Sequence, residues 1–126
     1  MKINTFINIT AWVGFITGFV LLVFPTTLLG MNGIQADAAG ITLARLLGAE
    51  FIGFNLVTWM SKNPGNESTR RMVVFSHSVS ETLGFIVLLY ARLNGLGNNM
   101  LWSFVAVYFI FALGYLYFQY IAKDQL

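Results

Sequence analysis

Four residues of this chain combine reactive chemistry with an apolar setting: Arg45, Glu50, His77 and Glu81. The first two lie in Ala44-Arg45-Leu46-Leu47-Gly48-Ala49-Glu50-Phe51-Ile52-Gly53, and the other two in a run that opens at Met72. A charge at membrane depth costs ~2.5–3.5 kcal/mol on insertion scales, so each one calls for a partner, a cavity or a task. His77 and Glu81 form a His-x-x-x-Glu pattern. On a helix that spacing places them on one face, one turn apart, where they can hydrogen-bond or bind a common group. Arg45 and Glu50 stand ~140° apart at about 100° per residue, so they converge only if the guanidinium curls back. Otherwise its long stem lets it snorkel outward.

Two carboxylates and one arginine sum to −1 when His77 is neutral. In a low dielectric this leaves three states: a glutamate holds a proton, His77 holds one, or a cation binds. Acid/base chemistry would use Glu50 or Glu81, with His77 tuning the pair and Arg45 offsetting charge. A ligand site would recruit Arg45, Glu50, Asn55, His77, Glu81 and Tyr108. A proton or ion relay is a third use, and a polar tie that only specifies helix pairing is a fourth. One histidine without a second nitrogen ligand nearby is a weak metal site, so no metal is expected. The absence of cysteine excludes disulfides, thiolate metal sites, iron–sulfur clusters and cysteine nucleophiles. No Gly-rich phosphate loop follows a strand, and Ser76 and Ser78 flank His77 on other sides of the helix, so nucleotide binding and serine catalysis gain no support. No motif names a cofactor.

The elements that carry these residues follow from hydropathy. Of 126 residues 57% are hydrophobic and only 10% charged, against the roughly 25% charged residues of soluble domains. Mean hydropathy is +0.73. This is a membrane composition, and the length allows one small domain. An uncharged run over about residues 5–24 is long enough, at ~1.5 Å per residue, to span a ~30 Å hydrocarbon core. It is read as a retained span and not a signal peptide, because Phe24-Pro25-Thr26-Thr27 offers no small-x-small cleavage site. Further spans are expected over about residues 40–60, 72–92 and 99–121. Gly14 and Gly18 in the first span, and Ala44 and Gly48 in the second, are spaced as packing edges that let backbones approach. Residues 26–39 mix apolar side chains with Gly30, Asn32, Gly33 and Asp37, and either lie in the interface or fold back along the bundle. Ser61-Lys62-Asn63-Pro64-Gly65-Asn66 begins a solvated turn, and Leu93 to Asn98 is a second one rich in Gly and Asn. Trp59, Trp102 and the tyrosines of the last span suit an aromatic belt. The Asn-x-Thr at Asn8 and the Asn-x-Ser at Asn66 fall in a span and on the cytoplasmic side, where glycosylation is not expected.

The expected architecture is therefore all-α: an integral membrane four-helix bundle, antiparallel and up-down-up-down. Lys2, Lys62, Arg70, Arg71 and Lys123 fall on one side and only Arg92 on the other, so both termini are expected in the cytoplasm. The net charge of +2 is a topology signal, and no nucleic-acid surface is expected. Counting inward from each span's start, Arg45 lies ~7–8 Å deep and Glu50 ~15 Å, while His77 lies ~7–8 Å and Glu81 ~13–14 Å. Glu50 and Glu81 are thus expected at one height near the midplane, adjacent, with His77 one turn below and Arg45 as counter-charge.

Arg45-Leu46-Leu47-Gly48-Ala49 opening the second span, the basic loop and the histidine of the third span together resemble small four-helix bacterial inner-membrane proteins of DoxX-like or uncharacterised type. The resemblance covers most of the chain through one short motif and hydropathy, and it implies a multi-pass inner-membrane fold more than an activity. His77 and Glu81 are also similar to the acidic residues and histidine that face a lipophilic cavity in sterol-isomerase and sigma-2-receptor-like bundles. The expected role is a binding or accessory membrane protein, its polar site facing a lipophilic small molecule or a larger membrane partner. An isomerase-like membrane enzyme and an oligomeric proton or ion transporter are the alternatives, the latter needing homo-oligomers because four short spans leave little room for a pathway.

Overall fold

The computed structural model describes residues 1–126 and is all-helical. In chain order it contains α1 (Ile3–Val23), α2 (Pro25–Met31), α3 (Ala38–Met60), α4 (Glu67–Leu93) and α5 (Leu101–Tyr120), then one 3₁₀ turn (Lys123–Gln125). Helices α1, α3, α4 and α5 are each long and apolar enough to cross a membrane. Hydropathy located these four but misjudged some ends. Helix α4 begins at Glu67, five residues before the expected start at 72, because apolar composition marks a hydrocarbon boundary whereas backbone hydrogen bonds continue through Glu67 to Arg71. Glu67 in the first turn favours that extension by complementing the helix dipole. Helix α3 starts at Ala38, where the Asp37 carboxylate caps it by accepting from the Gly40 N–H at 2.8 Å.

The segment after α1 folds back onto the bundle. Phe24 ends α1, and Pro25, with no N–H to satisfy, starts the seven-residue α2. Leu28, Leu29 and Ile34 turn inward with Leu21, Leu47, Leu88 and Leu101 around a small apolar cavity of about 160 Å³. A latch fixes this arrangement across the bundle end. The Asn98 N–H donates to the Asn32 carbonyl at 2.9 Å, and the Asn98 amide donates to the Met31 carbonyl at 3.0 Å. Gly33 and Gly97 both take φ of 70° at this crossing, a conformation that costs glycine nothing. A methyl group on Gly33 would also stand 3.0 Å from the Asn98 backbone nitrogen.

The long helices pack chiefly as two pairs, α1 against α3 and α4 against α5, with sparser contact between the pairs. Backbones touch in the first pair: a methyl on Gly48 would lie 2.6 Å from the Gly18 carbonyl oxygen and 2.7 Å from the Leu22 nitrogen. In the second pair the Tyr108 ring fills the space beside Gly84. The pairs are joined by a core of Ile3, Phe6, Ile7, Val74, Tyr115, Phe118 and Ala122, where Phe6 meets Tyr115 edge-on at 4.8 Å between ring centres. Both chain ends lie beside this core, held by a hydrogen bond from the Ile3 N–H to Gln125 Oε1 at 2.9 Å. Cation–π contacts of Lys62 with Trp59 and of Arg92 with Trp102 decorate the helix ends.

Candidate functional site

Between the two helix pairs lies a cavity of about 370 Å³ to which α1, α3, α4 and α5 all contribute. This size falls within the range of small-molecule sites. Phe51, Phe54, Phe104, Val107, Tyr108 and Phe111 give it an apolar, aromatic wall. Polar groups come from Thr10, Thr17, Asn55, His77, Ser80, Glu81 and Ser103, and no lysine or arginine lines it.

His77 is held on four sides. Its ring lies between Tyr115, parallel to within 4° at 4.4 Å, and Phe54 at 4.5 Å. In the ring plane Nε2 meets Thr58 Oγ1 at 2.8 Å, and Nδ1 meets Glu81 Oε1 at 3.1 Å. The histidine side chain is 4% exposed and that of Glu81 15%, so the carboxylate is the more accessible member of the pair. Tyr115 is anchored in turn: Thr10 donates to the Ile7 carbonyl at 3.1 Å, which leaves the Tyr115 hydroxyl to donate to Thr10 Oγ1. Aromatic stacking and hydrogen bonds thus fix one imidazole orientation.

The hydrogen count of this chain sets its chemistry. The Thr58 hydroxyl has one proton and two candidate acceptors, the Phe54 carbonyl at 3.0 Å and His77 Nε2. If Thr58 donates to Phe54, Nε2 must carry a proton, and a second proton is then shared between Nδ1 and Glu81. If Thr58 donates to Nε2, a single proton on Nδ1 suffices to bond the Glu81 carboxylate. The first state is neutral overall and the second carries −1. No cationic side chain lines the cavity to compensate a buried negative charge.

Of the residues singled out by sequence, Asn55, His77, Glu81 and Tyr108 line this one cavity. Asn55 is buried, donates to the Phe51 carbonyl at 2.8 Å and packs over Gly14. Arg45 and Glu50 do not join them. Both are exposed on the outside of α3 and neither forms an ion pair or a side-chain hydrogen bond. The expected Glu50–Glu81–His77 cluster with Arg45 as counter-charge is corrected to Glu81–His77–Thr58. The physical reason is rotation about α3: the face carrying Ala44, Gly48, Asn55 and Thr58 is buried, and Glu50 at ~100° per residue falls well off it. Equal depth placed Glu50 and Glu81 together, but depth says nothing of azimuth.

Thr58, Thr10 and Phe54 join the site without a signal in the charge pattern, and Tyr115, expected in an aromatic belt, is fully buried. Phe51, Asn55 and Thr58 follow an i, i+4, i+7 spacing on one helical face, which is the signal that could have found Thr58. No group of three metal-ligating side chains comes together.

No curated protein and no solved structure matches the chain. One family does, over residues 1–121, nearly the whole length. With that coverage, the chain belongs to the family described as Domain of unknown function (DUF8292).

Proposed function

We propose that this is a multi-pass integral membrane protein that binds a lipophilic small molecule in its interior, with Glu81 and His77 as the polar anchor. Its bundle runs up-down-up-down with both termini in the cytoplasm, a reading supported by the basic residues clustered beside the termini and the α3–α4 turn. The observation that carries the binding reading is the 370 Å³ aromatic cavity with a hydrogen-bonded His–Glu pair on its wall. An apolar interior with a few convergent polar groups is the usual form of a small-molecule site.

The test is mass spectrometry of gently purified protein, with lipid extraction and an absorbance spectrum. A small molecule at near one per chain is expected, and it is lost in Glu81→Gln and in a cavity-filling Val107→Trp while helicity is retained. Equal recovery from both variants and the parent would sink the reading. A stoichiometric larger membrane protein instead would mark an accessory subunit.

A second reading, acid/base catalysis on the bound molecule, is favoured by the hydrogen bond between His77 Nδ1 and Glu81 Oε1 on the cavity wall. In that case the molecule recovered after incubation in heavy water carries deuterium on carbon, and Glu81→Gln abolishes the incorporation.

A further inference from the structure

The outer face of α3 carries a pattern that the cavity leaves unused. Thr42, Leu46, Ala49, Gly53, Leu56 and Met60 are all exposed. Their spacing alternates between three and four residues, the repeat of a left-handed helix-on-helix seam. At ~100° per residue this stripe is centred roughly opposite the Ala44, Gly48, Asn55 and Thr58 face that packs inward. Its middle is low: a methyl on Gly53 would meet nothing within 4 Å, and Ala49 stands one turn away. Arg45 and Glu50 flank the stripe, each about 70° from its centre and on opposite sides.

From this we infer that α3 is the two-fold interface of a homodimer in the membrane, with Arg45 of each copy paired to Glu50 of the other. The occupant is a second copy because the face is complementary to itself. A two-fold axis along the membrane normal sets the two α3 helices parallel, and in that geometry a flanking residue meets the residue five positions later on the partner helix. Arg45 and Glu50 are five positions apart and opposite in charge, so the pairing occurs twice, symmetrically. Without a partner both charges face lipid, which is costly for the deeper Glu50. Ala49 and Gly53 at the centre let the backbones approach so that the flanking side chains can reach. The inference rests on the membrane-spanning part of the proposed function and is independent of the cavity and its ligand.

Charge swapping with cross-linking tests it. The chain has no cysteine, so Ala49→Cys introduces a single thiol at the seam and Leu83→Cys a control on the exposed face of α4. In lipid nanodiscs or native membranes, oxidation is expected to couple Ala49→Cys chains as dimers and to leave Leu83→Cys monomeric. Adding Glu50→Arg, which opposes two arginines across the seam, is expected to weaken the dimer roughly tenfold or more. Adding Arg45→Glu to that variant restores opposite charges and the cross-link. Equal coupling at both thiols, coupling only to other proteins, an unchanged yield with Glu50→Arg, or no recovery in the double swap each overturns the inference. Should Glu50→Arg fail to accumulate, Glu50→Gln takes its place, and an unchanged yield with that variant also overturns it. Retention of the bound small molecule by Glu50→Arg separates this outcome from failure of the cavity reading.

Discussion

The Tyr115 ring lies parallel to the imidazole of His77, 4.4 Å away, so a fully buried aromatic forms the floor on which the polar site stands. Two contributions can be separated there. Tyr115→Phe keeps the stack and loses only the hydroxyl bonded to Thr10, at an expected cost of about 1 kcal/mol. Tyr115→Ala also empties the core beside Phe6 and is expected to cost about 3–5 kcal/mol. Denaturant or thermal unfolding in detergent, read by circular dichroism, measures both.

Thr58→Val tests the hydrogen count. Shape is nearly conserved, but Nε2 of the buried His77 loses its partner. A loss of about 1–3 kcal/mol in stability is expected. Combined with Glu81→Gln, the effects are expected to be non-additive, because both residues bind opposite ends of one imidazole. Additivity within error would show that the three residues do not act as a chain.

Glycine positions discriminate between tight and open packing. Gly48→Ala pushes a methyl against backbone atoms of α1, which have no rotamer to change, and an expected 1–3 kcal/mol is lost, as in other overpacked cores. Gly30→Ala meets open space in a helix, and is expected to be neutral or to stabilise by up to about 1 kcal/mol. Unfolding midpoints of the two variants should move in different directions or by clearly different amounts.

Gly84→Ala acts on the cavity itself. The added methyl collides with the Tyr108 ring, which must swing away from α4. Tyr108 lines both the polar and the apolar cavity, so its displacement is expected to reduce recovery of the bound molecule at a modest cost in stability. Mass spectrometry of the purified variant, beside its unfolding midpoint, checks the two effects.

Much of the fold was legible in the sequence because the membrane is a demanding solvent. Apolar runs of about twenty residues with few charges have few alternatives to a helix, and the four were found. The start of α4 was not, since its first turn is polar and carries no hydropathy signal, and neither was the return of residues 25–37, which depends on the Asn32–Asn98 latch between segments distant in sequence. His77 and Glu81 were paired by their spacing alone, and that pair holds in space. Glu50 stands apart from that pair because depth along a helix is readable from residue count, whereas its rotation depends on which face the neighbouring helix takes. Gly48 held that information, since α1 can approach α3 closely only where the side chain is absent.

The division into two tightly joined helix pairs has a mechanical corollary. Core packing of Phe6, Val74, Tyr115 and Phe118 pins the pairs together near the chain termini. At the far end Leu21, Leu28 and Leu29 meet Leu88 and Leu101 across the small apolar cavity, and the Asn98 bonds tie the loops. The two pairs are thus bridged on both sides of the cavity, by aromatic packing near the termini and by a leucine layer with two hydrogen bonds at the other end.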